Sequence, residues 1–160
     1  MKKHHMNKAD REVIDREELR DLLKTGKYAS IAMCRDNDPY IVTLSYGYDQ
    51  QNDCLYFHTA LKGLKLAIIK DNPNVCATVI QDGGYEKDQC AHHYFSAVMW
   101  GTMTVIDDLE EKKHALEVLL HHLENNPDPI RQRNLKNDAA YKGVAILKLT
   151  ITHLTGKRGS

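Results

Sequence analysis

Cys54-Leu-Tyr-Phe-His-Thr-Ala-Leu-Lys-Gly-Leu-Lys-Leu-Ala-Ile-Ile-Lys-Asp-Asn-Pro-Asn-Val-Cys-Ala-Thr-Val79 reads as a strand, a tight polar turn, a short cationic helix and a second strand. The turn and the first helical turn hold Thr59, Lys62, Gly63 and Lys65. Backbone N–H groups, a hydroxyl and two ammonium groups would converge there, a combination that suits a phosphate. His58 stands at the end of the strand, beside the same spot. An ordinary strand–helix turn with solvated lysines would show the same spacing, so the surrounding chain has to decide between the two.

Working outward, Leu61 to Lys70 forms the helix, with Leu64, Ala67 and Ile68 on one face, and Asn72-Pro73-Asn74 stops it. Val75 to Ile80 is the strand that follows. On the N-terminal side, Tyr28–Cys34, Tyr40–Tyr48 and Cys54–His58 are strands separated by the turns 35–39 and 49–53, the spacing of an antiparallel meander. Before them comes a helix. Asp15 is its N-cap, Glu18 completes a capping box, Ile14 and Leu19 form a hydrophobic staple, and Gly26 closes the helix in a left-handed conformation. Residues 1–12 read as a flexible polar arm and 13–157 as one domain.

Beyond the central stretch, Gln81 to Ala91 reads as a polar loop and Tyr94 to Ile106 as a long strand bent at Gly101. Asp108 and Glu111 open a third helix whose buried face is Leu109, Leu116, Leu119, Leu120 and Leu123. A polar stretch with Pro127 and Pro129 leads to a last strand, Gly143–Leu154. Strands that follow one another without helices between them exclude a doubly wound parallel sheet and predict an antiparallel barrel with helices outside.

The 160 residues suit one domain with a real core. Formal net charge is +0 with 28% charged residues, so no global field draws the chain to nucleic acid or to an acidic membrane. No apolar run approaches the ~20 residues that span a bilayer. The first residues lack the apolar stretch of a signal peptide, and the expected location is cytoplasmic. Cys34, Cys54, Cys76 and Cys90 contain no Cys-x-x-Cys pair and are read as free thiols. Cys90, His92 and His93 make a Cys-x-His-His group, but zinc needs a fourth partner and no second spaced pair stands nearby, so no metal site is assigned. His4 and His5 read as a solvated pair.

Taken together, the pieces resemble the FMN-binding split-barrel superfamily of pyridoxamine 5′-phosphate oxidase, and within it the branch of 5-nitroimidazole resistance proteins. The resemblance is carried by Asp10-Arg-Glu-Val13, Gly26-Lys-Tyr-Ala-Ser-Ile-Ala-Met33, Pro39-Tyr-Ile-Val-Thr-Leu-Ser-Tyr-Gly-Tyr48, Leu55-Tyr-Phe-His-Thr-Ala-Leu-Lys-Gly-Leu-Lys65, Asp71-Asn-Pro-Asn-Val-Cys76 and Tyr94-Phe-Ser-Ala-Val-Met-Trp-Gly-Thr-Met103, in that order and spacing.

That resemblance implies a six-stranded antiparallel split barrel that pairs into a homodimer, with FMN in the groove between subunits. By matching motif, the phosphate would meet Thr59 and Lys65, with Lys62 assisting. The backbone and side chains of Ile41, Val42, Thr43 and Leu44 would run along the isoalloxazine. His58 and Ala60 would lie at the flavin edge, and Ser96 and Trp100 would contribute from the same groove. His58 is the catalytic candidate, because an imidazole can pass a proton to a reduced substrate. The implied activity is FMN-dependent reduction of a small electrophile of the nitroimidazole kind. A nicotinamide electron donor would dock at the open flavin face, because no Gly-x-Gly-x-x-Gly fingerprint is present. The alternative is a non-catalytic carrier or stress protein binding flavin, or binding haem through a histidine. The oxidase proper uses several arginines for its phosphates. Here Arg35 sits in a turn and Arg131 and Arg133 in a late polar segment, so turnover of pyridoxamine phosphate is not expected.

Overall fold

A computed structural model describes residues 6–159. Helix α1 (Arg16–Thr25) starts at Asp15, whose carboxylate accepts the Glu17 N–H at 2.8 Å, and it buries Leu19, Leu22 and Leu23. Two predicted details differ. Ile14 is 82% exposed, so it forms no staple with Leu19. Gly26 has φ −64°, not a left-handed conformation; what requires glycine is space, since a Cβ would sit 2.5 Å from Tyr46 Oη.

Strands β2 (Tyr28–Arg35) and β3 (Asp38–Ser45) form a hairpin through Asp36 and Asn37, both in the left-handed region that a two-residue turn demands. Next come β4 (Gly47–Asp49), β5 (Cys54–Thr59) and α2 (Leu64–Asp71). A long hairpin of β6 (Asn74–Glu86) and β7 (Ala91–Ile106) leads to α3 (Leu109–Leu123), α4 (Asp128–Asn134), α5 (Asp138–Lys142) and β8 (Ala145–Gly159). The segment expected as an arm contains a 3-10 turn at Ala9–Arg11 and a two-residue strand, β1 (Glu12–Val13), paired with the end of β8. His4 and His5 lie outside the described residues.

The eight strands form one antiparallel sheet in the order β3-β2-β6-β7-β8-β5-β4, with β1 on β8. The predicted antiparallel barrel architecture holds, with eight strands where six were expected. The 40–48 segment breaks at Tyr46 into β3 and β4, and β1 adds the last. Although consecutive in sequence, β3 and β4 occupy opposite edges of the sheet, which curls without closing. Tyr46 sits at this crossing, fully buried, and its phenol donates to Leu23 O at 2.7 Å.

Alternation along the strands sorts side chains into three environments. The barrel interior is filled by residues such as Ile31, Leu55, Phe57, Met99, Met103 and Leu149. Outside β5 and the start of β8, a second cluster of Cys54, Tyr56 and Ile146 is covered by Ala115, Leu116 and Leu119 of α3. Outside β3, β2, β6 and the first half of β7, no helix among the described residues covers the sheet.

Gly101 lies where the β7–β8 register shifts; a Cβ there would fall 2.0 Å from Thr150 O, so the predicted bend requires glycine for close backbone approach. Of the predicted loop at 81–91, residues 81–86 are instead paired ribbon at the end of β6, and 87–90 form the turn into β7. Residues 81–90 are exposed, and ladder hydrogen bonds hold the ribbon. In α2 the buried face is Ile68 and Ile69 with Leu66 against the core, while Leu64 and Ala67 face out.

Candidate functional site

The uncovered sheet face is built of two neighbouring rows in strand register. One runs Ile41, Ala32, Cys76, Trp100 and His153 across five strands; the next runs Thr43, Ser30, Thr78, Val98 and Thr155. Ser30 and Thr43 hydroxyls bond at 2.8 Å, and the Trp100 ring lies over His153 at 5.4 Å between centroids. Ile41 is 67% exposed. Such a face of small, hydroxyl and apolar side chains is what a flat ligand or a second sheet packs against. Of the four β3 residues expected there, Ile41 and Thr43 present side chains. Val42 and Leu44 turn theirs to the core, so only their backbone borders the face, which corrects the expectation for those two side chains. Ser96 lies on the same face of β7, opposite Ile80 and Lys157, and its hydroxyl approaches Lys157 O at 3.4 Å.

Past the end of β5, the chain enters the turn before α2. Thr59 is 7% exposed, and its hydroxyl has no hydrogen-bond partner among the described residues. Ala60 and Lys62 are exposed and Lys65 is half-buried. Gly63 caps α2 with φ +150°, a conformation open to glycine, and no side chain satisfies the helix N-terminus. No acidic residue occupies the first turn, and neither Lys62 nor Lys65 makes an ion pair among the described residues. Positive helix dipole, open N–H groups, two uncompensated ammonium groups and an unbonded hydroxyl therefore occur together.

His58 and Thr59 are adjacent on β5 and point to opposite faces. The imidazole is exposed and lies on the same face as Cys54 and Tyr56, at the mouth of a cavity of about 400 Å³. The cavity walls are Leu116, Leu119, Leu120 and Leu123 of α3, Ile130 of α4 and Val144. Polar lining is sparse: His58, Ser45, Asn134 and Glu124. Ser45 follows Thr43 by two residues and so lies on the same face of β3; it joins the sheet face to the cavity. Sequence reasoning missed Ser45, although period-two alternation from Ile41 and Thr43 leads to it. It missed the cavity too, because α4 and α5 are short helices in a polar stretch.

The other flagged groups are engaged elsewhere. His92 pairs with Asp82 at 2.9 Å and His93 with Glu86 at 3.1 Å, on opposite faces of the ribbon. Arg131 is held by Glu117 at 2.6 Å and by Asp128, pinning α4 to α3, and Arg35 lies 3.5 Å from Asp71. Cys54 is fully buried, and burial pushes its thiol up to about 11, which keeps it protonated and inert.

A curled antiparallel sheet with one face open and a cationic helix start at its edge defines the split-barrel class. The chain belongs to the family described as pyridoxamine 5′-phosphate oxidase, whose model matches residues 15–158. Among solved structures, it resembles a proposed 5-nitroimidazole antibiotic resistance protein from Bacteroides thetaiotaomicron, at 25% identity and TM-score 0.79, over 92% of this chain and 86% of that one. A FAD and haem binding protein from Mycobacterium smegmatis shares the fold at 23% identity and TM-score 0.77, over 94% and 74%. A flavocytochrome from Azotobacter vinelandii shares it at 16% identity and TM-score 0.79, over 98% and 73%. Comparison with curated proteins gives no match. Among the described residues no helix is long and apolar enough to cross a membrane.

Proposed function

We propose that the protein is an FMN-binding oxidoreductase that reduces a small electrophile, working as a homodimer. The observation that carries this reading is the start of α2 without a side-chain cap, where among the described residues Lys62 and Lys65 lack ion-pair partners and the Thr59 hydroxyl lacks a bond. Ammonium groups beside open helix N–H groups make the start of α2 locally positive, and a phosphate dianion suits that position. The face bearing Ile41, Thr43, Ser30 and Trp100 would take the flat ring, and a second copy of the same face would close over it.

When bound, FMN supplies hydride chemistry that no side chain here can perform. The chain's own part is positional. Thr59, Lys62 and Lys65 hold the phosphate end, Ile41 and Thr43 border the ring, and the bordering strand face excludes water. His58, exposed at the junction of sheet face and cavity, is placed to hand a proton to an acceptor atom. A nicotinamide donor would reach the ring from the side the partner leaves open.

Flavin is favoured over haem by charge. Haem carries two propionates, yet among the described residues no lysine or arginine lines the cavity at His58, and Glu124 is the one carboxylate there. Pyridoxamine phosphate is disfavoured as substrate for the same reason, and because Arg131 is already committed to Glu117. The test is mass spectrometry of the molecule that copurifies, with absorbance of the intact protein. FMN with flavin bands and reduction by a nicotinamide donor support the reading. A haem Soret band, or a flavin that no donor reduces, refutes it.

A further inference from the structure

Resting on the reading of the flavin site above, we propose that the cavity between β5 and α3–α5 is the acceptor's subsite, and that it takes an uncharged, flat, apolar molecule of about two fused rings. At about 400 Å³ it lies at the small end of ligand pockets, which span roughly 300–1,000 Å³. None of Ile41, Thr43, Thr59, Lys62 or Lys65 lines it, so it is not the place of the phosphate or of the ring on the sheet face. Its connection to that face is through Ser45 of β3 and His58 of β5, the two lining residues that lie on strands of the sheet.

The lining dictates the ligand class. Five leucines, Ile130 and Val144 reward apolar surface at roughly 25 cal/mol per Å² removed from water. An anionic ligand would enter without a cation to meet it and with Glu124 at the wall, which costs desolvation with no return. A cationic ligand would find one carboxylate but leave its charge among leucines. A neutral aromatic pays neither cost. Its one acceptor atom, a nitro or carbonyl oxygen, would be directed toward His58, Ser45 and Asn134, the hydrogen-bonding side chains that line the cavity besides Glu124 among the described residues. The subsite explains why α4 and α5 exist at this place: they close the far wall, and Arg131 with Glu117 fixes α4 against α3.

The test uses the intact dimeric protein and two probes, 6-nitroquinoline (neutral, bicyclic) and 4-nitrobenzoate (anionic). Ala140→Trp, from the α5 wall, fills the cavity, and Leu123→Trp does so from α3 should the first variant lose its melting transition. Asn134→Lys adds a cation at an exposed lining position. The wild type should bind 6-nitroquinoline at least about tenfold tighter than 4-nitrobenzoate, and either filled variant should lose about tenfold for 6-nitroquinoline. In both fillings FMN affinity should stay within about twofold of wild type. Asn134→Lys should narrow or reverse the preference between probes. Unchanged 6-nitroquinoline binding in a folded, filled variant overturns the subsite while leaving the flavin reading intact. Cavity-dependent probe binding in a protein that takes up no flavin would keep the subsite and sink the flavin reading instead.

Discussion

Lys65→Ala separates the phosphate contact from every other part of flavin binding. Lys65 is half-buried in the first turn of α2, beside the open N–H groups of the helix. A charge-assisted hydrogen bond is worth about 1.5–3 kcal/mol when well shielded. Partial exposure lowers that, and about 1–2 kcal/mol is the expected loss here, or roughly 5- to 30-fold in Kd. Riboflavin has the same ring and no phosphate, so its affinity should not change. Neither should the melting temperature, since Lys65 makes no ion pair among the described residues and alanine is the better helix former. Flavin fluorescence titrations of wild type and variant with both ligands, at low and high salt, read the two affinities, and a thermal melt of each protein reads the third quantity. Adding Thr59→Ala should deepen the FMN deficit and again spare riboflavin. The reasoning fails if FMN and riboflavin weaken equally, or if FMN affinity in the double variant equals that of wild type.

His58→Ala should keep FMN within about twofold in Kd and lose reductive turnover by about 10²-fold or more, the scale of a missing proton donor; equal steady-state rates would remove the imidazole from the mechanism. Gly101→Ala should cost more than about 3 kcal/mol in chemical denaturation, because its Cβ would collide with Thr150 O on the paired strand; a stability change under 1 kcal/mol would contradict the strand geometry. Burial holds His122 below the ordinary histidine range; its bond to Gly26 O at 2.6 Å opposes this, and the charge of Lys27 adds to it. The unfolded imidazole takes up its proton near pH 6.5 and the folded one only at lower pH. That contribution to stability is therefore complete above about pH 6.5 and is lost as pH falls from there toward the lowered folded value. Melting curves between pH 7.5 and 5 should drop more for wild type than for His122→Gln, and parallel drops would show that His122 does not titrate with unfolding.

What the sequence showed and what it hid follow from side-chain periodicity. Strands β2 and β5 lie between a covered and an uncovered layer or wholly among apolar groups, so their alternation or apolar run is visible as text. The cationic turn at Thr59–Lys65 is local, and a local motif needs no tertiary information. The ribbon at 81–86 was hidden because its side chains are all exposed; with no apolar face, its polar and glycine-rich sequence imitates a loop. Only backbone ladder bonds, which carry no residue signature, make it a strand. The short helices α4 and α5 were hidden by Pro127 and Pro129 and by a lack of buried residues. Pro129 is compatible with a helix start because the first turn needs no N–H donors, and Asn137 caps α5 by accepting the Ala140 N–H. Missing those helices meant missing the cavity. Ile14 and Leu64 show the opposite error: correct spacing for a staple and a buried face, overruled by where the neighbouring elements pack.

The most direct measurement is a crystal structure of the protein grown with FMN. It should place the phosphate within hydrogen-bond reach of Lys65 and Thr59 at the start of α2, with the ring bordered by Ile41 and Thr43 under a second subunit. FMN lodged by its phosphate anywhere else, or held within one isolated barrel with the open sheet face left bare, would contradict the account.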